Sequence, residues 1–105
     1  MPADPQPPQA YEDFIKRYPG LGEAWELIAR SGAAGPLDPK TMRLIKLAVA
    51  AGAMREGAVR SSARKARAQG IAEDAIAQVV ALAAGTLGMP SAVAVFSWIE
   101  ASKNE

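Results

Sequence analysis

From Ala75 to Ile99 the chain carries no charged residue, and this constrains its fold more than any other feature of the sequence. A stretch of that length could cross a bilayer as one helix. It also contains Gln78, Ser91 and Ser97, and Gly85-Thr86-Leu87-Gly88-Met89-Pro90 interrupts its middle. Glycine and proline there predict a turn over Gly85–Gly88 and two short helices, one over 72–84 and one starting at Pro90. Ile76, Val79, Val80 and Ala83 share a face of the first. Ala92, Val95, Phe96 and Ile99 form the buried stripe of the second. Two helices this apolar need amphipathic partners to cover them, which points to a water-soluble bundle.

The partners are legible upstream. Asp38 is placed as an N-cap with Pro39 at the first helical position, and an apolar helix follows to the junction Ala51-Gly52-Ala53-Met54. In that helix Met42, Ile45 and Val49 lie along one face, and Leu44, Leu47, Ala48 and Ala51 fill another. Arg43 and Lys46, at i and i+3, are the charged residues that interrupt these faces, and they share a side. The next helix spans about Arg55 to Gln69 and ends at Gly70. Glu56 and Arg60 form an i,i+4 pair on it. Earlier, Tyr11–Arg17 and Leu21–Arg30 read as short helices around a Tyr18-Pro19-Gly20 stop. Phe14, Trp25, Leu27 and Ile28 are their inward anchors, and Ser31–Pro36 forms a loop. No segment alternates with period two. The expectation is an all-α domain of five or six helices over residues 10–105, preceded by a disordered proline-rich tail over 1–9.

Composition narrows the chemistry. The chain has 105 residues and neither cysteine nor histidine. That removes thiolate nucleophiles, imidazole bases and the usual zinc and haem ligands, so neither a metal nor a cofactor is expected. Half the residues are hydrophobic but only 6% are aromatic, so the core consists mainly of small side chains that each bury little area. Such a chain gains from burying surface against its own copies, and a homo-oligomer is expected. The net charge of +1 argues against a general polyanion binder. The first residues lack the basic and apolar regions of a signal peptide, so a cytoplasmic location is expected, without membrane or nucleic-acid partners.

One ordered set of segments resembles a known family. It comprises the helix from Leu37 to Ala50, Ala63-Arg64-Lys65-Ala66-Arg67-Ala68-Gln69-Gly70, Glu73 to Val80, and Ala84-Gly85-Thr86-Leu87-Gly88-Met89-Pro90-Ser91-Ala92. The order and spacing resemble the carboxymuconolactone decarboxylase family, which includes the alkylhydroperoxidase D-like proteins. The resemblance implies an all-helical unit assembling as a trimer or hexamer. It also implies where a redox centre would lie. The family's thiol-active members use Cys-x-x-Cys-x-x-x-His and a relay glutamate one helix earlier. Counted from Ala66 and Gly70, the histidine position holds Ser62, the two cysteine positions hold Ala58 and Arg55, and the glutamate position holds Arg43. Arginine does not accept protons near neutral pH and alanine is no nucleophile, so the family's thiol peroxidase mechanism is excluded. The lactone-decarboxylating members keep a histidine on this helix, and here that too is missing.

Arg55, Ala58 and Ser62 share a helix face, and Arg43 reaching across would bring two guanidinium groups and a hydroxyl together. Arginine forks suit carboxylates and phosphates, so these four residues are the candidate site for a small carboxylate or other anion. An equally physical reading pairs Arg43 and Arg55 with carboxylates of a neighbouring subunit. An enzyme of decarboxylase or isomerase type, acting on a small carboxylate or lactone through Arg43, Arg55 and Ser62, is the alternative. A second cationic stripe, Arg60, Arg64 and Arg67 with Lys65 beside it, has no interleaved aromatic and reads as a solvated face, or else as a contact with acidic residues of a neighbouring subunit.

Overall fold

The computed structural model describes residues 9–105, all of whose regular elements are helices: α1 (Gln9–Arg17), α2 (Pro19–Ala33), α3 (Pro39–Gly52), α4 (Glu56–Ala68), α5 (Glu73–Leu87) and α6 (Met89–Ser102). They fall into two compact units, one holding α1 and α2 and ending at Leu37, the other running from Asp38 to Glu105. The expected tail lies outside the described residues except for Gln9, which opens α1.

In the second unit α3 packs on α4, α4 on α6, α6 on α5 and α5 back on α3, closing a four-helix ring. Its centre holds Leu47, Ala50 and Ala51 from α3, Val59, Ala63 and Ala66 from α4, Ile76, Val79 and Val80 from α5, and Ala92, Val95 and Ile99 from α6. The wealth of alanine lets these helices approach closely, so the core is narrow. Of the two apolar faces read in α3 from the sequence only one is buried, and Ile45 and Val49 on the other are exposed. Phe96 is likewise largely exposed. No helix among the described residues is long and apolar enough to cross a membrane.

The break between α5 and α6 is sharper than the expected turn. Gly85, Thr86 and Leu87 continue α5, and the chain turns at Gly88 alone, with φ 86° and ψ 157°. Only glycine occupies that region readily. A glycine flanked by good helix-formers is therefore kept inside α5, and the turn falls on the residue whose backbone must be inverted.

The two ends of the α3–α4 and α4–α5 connections share one design. Ile71 N–H donates to the Ala66 carbonyl at 3.0 Å and Gly70 N–H to that of Arg67 at 2.9 Å. This is a Schellman closure with Gly70 in the left-handed region. At the end of α3, Arg55 N–H donates to Ala50 at 3.1 Å and Met54 N–H to Ala51 at 3.0 Å, the same closure. There the left-handed residue is Met54, with φ 54°, while Gly52 stays helical.

In the first unit α1 runs to Arg17 and α2 starts at once with Pro19 in its first turn, so Tyr18-Pro19-Gly20 separates two helices with almost no loop. α2 continues through Ser31–Ala33, shortening the expected loop. Neither helix has a buried residue. Phe14, Trp25, Leu27 and Ile28, expected to point inward, are all at least half exposed, Ile28 at 63%.

Backbone strain makes the connections testable. A Cβ added at Gly88 meets no atom within 4 Å, so the penalty of Gly88→Ala is purely conformational. It should lower stability by about 1–3 kcal/mol. Met54→Gly should instead be neutral or stabilising by up to about 1 kcal/mol. Urea unfolding followed by circular dichroism measures both.

Candidate functional site

Helices α3 and α4 and the junction between them position the four residues singled out from the sequence. Arg43 sits in the second turn of α3, and its Nη1 donates to Ser62 Oγ on α4 at 3.3 Å. Ser62 itself is buried, 5% exposed. This is the part of the expected constellation that the fold brings together. Arg55 and Ala58 lie nearer the junction and are exposed. Arg55 acts through its backbone: it closes α3 as described and is the N-cap of α4, its carbonyl accepting from Val59 N–H at 2.9 Å. Its side chain makes no ion pair among the described residues.

The cations of α4 divide into two sets. On one side Arg60 pairs with Glu56 and with Glu105, both at 2.8 Å, and Arg64 pairs with Glu105. The Arg60 contact, joined by the Arg64 charge, holds the Glu105 carboxyl below the usual carboxylate range. Arg67 does more. Its Nε and Nη2 donate to the Glu73 carboxylate at 2.5 and 3.2 Å, its Nη1 to Ser102 Oγ at 2.8 Å and its Nη2 to the Ile99 carbonyl at 3.1 Å. One guanidinium thus joins α4, the first turn of α5 and the last turn of α6. Glu73, the first residue of α5, is its anion. The stripe read as a solvated face is mostly neutralised by the chain's own carboxylates.

The side of α4 that turns to α3 differs. Among the described residues Arg43 has one protein acceptor for its five N–H groups, and that acceptor is a neutral hydroxyl. Its Nε is buried without a partner. Burial pushes the guanidinium below its ordinary range, although it stays charged at neutral pH. Lys65 lies one turn beyond Ser62 on α4, and Lys46 one turn beyond Arg43 on α3. Although Lys65 is an exposed residue, desolvation around its ammonium, reinforced by the charges of Arg43, Lys46 and Arg64, holds it below the usual lysine range. Among the described residues no carboxylate pairs with Arg43, Lys46 or Lys65. Lys46 and Lys65 were not named for this site from the sequence. The Arg43–Lys46 spacing was a usable signal for one of them, whereas Lys65 was grouped with the paired stripe.

Chemically, this arrangement presents positive charge and N–H donors to an anion. Among the described residues no carboxylate accepts from the Ser62 hydroxyl, whose oxygen accepts from Arg43, so no acidic residue is placed to activate it as a base. No group of acidic side chains suited to a metal ion occurs among the described residues. A separate open groove of about 510 Å³ lies between α3 and α5, lined largely by apolar groups such as Leu44, Ile45, Val79 and Leu82. None of Arg43, Arg55, Ala58 or Ser62 lines it.

A closed ring of four short helices, with a charged hairpin and an apolar one, defines an all-helical bundle protein. The chain belongs to the carboxymuconolactone decarboxylase family, whose family model matches residues 19–101. The match begins at α2 and covers every helix of the ring. No curated protein and no solved structure matches the chain.

The Arg67 knot predicts a measurable loss. Arg67→Ala should cost about 2 kcal/mol, because several charge-assisted hydrogen bonds are lost and Glu73 is left without its partner. The bond from Arg67 lowers the Glu73 carboxyl below its ordinary value of 4.5, so its contribution is complete above that value and is lost as pH falls through the lowered one. Stability of the unaltered chain should therefore decline on acidification below about pH 4.5, and Arg67→Ala should flatten that decline, as read from urea midpoints across a pH series.

Proposed function

We propose that this chain is a small-anion-binding homo-oligomer, lacking the thiol centre of its redox-active relatives, with the anion held where α3 meets α4. The carrying observation is the Arg43–Ser62 contact: a half-buried guanidinium, with donors left over, lies beside two lysines that no carboxylate neutralises. A small carboxylate or phosphate would offset this charge and accept from the remaining N–H groups. Arg55 and Ala58 belong to the outer rim of the site in this reading. The absence of cysteine and histidine from the chain supports a non-redox role. The engagement of Ser62 with Arg43 favours binding over the decarboxylase or isomerase alternative, which needs an activated group.

Self-association is supported by the α1–α2 unit. A hairpin of about thirty residues with nothing buried falls well below the size at which a core stabilises itself, and oligomerisation is one of the usual remedies. Leu21, Trp25, Leu27 and Ile28 offer the apolar surface for a second copy, in a trimer or hexamer.

Titration with oxalate or inorganic phosphate, followed by amide NMR shifts, tests the binding. Saturable shifts should centre on residues 43–46 and 62–65, with a dissociation constant on the order of 1 mM. Arg43→Met keeps the buried stem and removes the charge. It should weaken binding at least about tenfold while leaving stability unchanged or raised by up to about 1 kcal/mol. Equal binding by both proteins defeats the proposal. Sedimentation equilibrium reads the oligomer directly, and a chain that is monomeric at all concentrations removes that half of the reading.

A further inference from the structure

Lys65 has a position that simple anion binding does not require. It stands one helical turn from Ser62, on the face of α4 that carries the Arg43 contact, yet it remains open to solvent. The other cations around it are either tied to carboxylates, as Arg64 is to Glu105, or are the unpaired Arg43 and Lys46. Among the described residues no carboxylate holds its proton in place. A primary amine crowded by other cations and stripped of part of its solvent is the environment that turns lysine into a nucleophile toward carbonyl groups.

Resting on the anion-site reading above, we propose that the site captures small anionic carbonyl compounds, aldehyde acids and 2-oxo acids, as imines on Lys65. Arg43, with Lys46 beside it, holds the carboxylate of the compound and so places its carbonyl carbon within reach of the Lys65 amine. The amine nitrogen of neutral Lys65 forms a bond to that carbon. The carbonyl C–O bond breaks, and the oxygen leaves as water with the two amine protons. No oxidant or reductant is involved, and hydrolysis reverses the step. The crowded cations serve both halves of the event, since they attract the anion and favour the neutral amine. Lys16 and Lys103 lack this setting: Lys16 is on the exposed α1, and Lys103 is paired with Glu100 at 3.0 Å.

The test is reductive trapping on the full chain. The protein is treated with glyoxylate and cyanoborohydride at neutral pH, and each lysine's adduct is counted by peptide mass mapping. Acetaldehyde, a carbonyl of similar size without the charge, is run in parallel. Lys65 should be labelled about tenfold faster than Lys16 or Lys103 by glyoxylate, and this preference should shrink toward unity with acetaldehyde. Arg43→Met should remove the glyoxylate preference with the helical circular dichroism intact, and Lys65→Arg should remove the adduct at position 65. If glyoxylate shifts the amides around Arg43 but Lys65 is labelled no faster than Lys16 and Lys103, the imine inference is overturned and the anion site stands. If both aldehydes prefer Lys65 equally and Arg43→Met changes nothing, the amine is reactive without an anion site, and both the inference and the reading beneath it fail.

Discussion

The guanidinium of Arg67 is the constraint on which the helical ring depends. The core it closes is assembled from Ala50, Ala51, Ala63, Ala66 and Ala92 with a few larger aliphatic groups, so apolar burial per helix is modest. Helices held this thinly can slide or splay. Arg67 opposes that motion with fixed geometry: a planar fork engages the Glu73 carboxylate at the start of α5, and the same group binds Ser102 and the Ile99 carbonyl at the end of α6. The last turn of α6 carries free carbonyls and a negative dipole end, and the first turn of α5 prefers an anion. A single cation therefore satisfies several unmet needs of helix termini at one point. It fixes register along α4, and with it the level at which Ser62 meets Arg43.

That arrangement gives the two sides of α4 different physical roles. Arg60, Arg64 and Arg67 are neutralised within the chain and support stability. Ser62 meets Arg43, and Lys65 and Lys46 lie one turn along from them, where no carboxylate among the described residues compensates the positive charge. Gathering cations without a counter-charge is unfavourable in itself, and here burial of Arg43 adds to the penalty. A chain selected only to fold would gain by placing an acidic residue there, as it does with Glu73 opposite Arg67. In the family's thiol-active members, the resemblance puts the relay glutamate at Arg43 and the histidine at Ser62.

Much of the architecture was readable because local signals and the global fold agree. Asp38 caps α3 as its type and the following Pro39 suggest, with its carboxylate accepting from Thr41 N–H at 3.2 Å. Gly70 ends α4 for the reason glycine ends helices, and Ile76, Val79, Val80, Ala92, Val95 and Ile99 are all buried as their spacing requires. The failures have common causes. Periodicity identifies an apolar face but not what covers it, so Trp25, Leu27, Ile28 and Val49 were read as core when they are exposed. Glycine content marks where a turn is possible but not which residue inverts. Gly52 and Gly85 stay helical, while Met54 takes the left-handed conformation that composition would assign to a neighbour. At the candidate site the Arg43–Ser62 approach followed from counting along two helices. Lys65 did not, because sequence spacing places it equally near the stripe that Glu56, Glu73 and Glu105 neutralise.

Met54 joins these observations. Its left-handed conformation is what allows α3 to close through Arg55 N–H and lets the same Arg55 begin α4, with no residue left over between the two helices. A longer, relaxed connection would let the helices shift along each other. With the junction reduced to a closure and a cap, Arg43, in the second turn of α3, and Ser62, midway along α4, are fixed at one level from one end. Arg67 fixes α4 from the other. Strain at the turn and charge pairing at the far end are thus two parts of one device, which holds a half-buried guanidinium against a buried hydroxyl and keeps its remaining donors aligned. Those donors are positioned by the fold and, among the described residues, left without a partner.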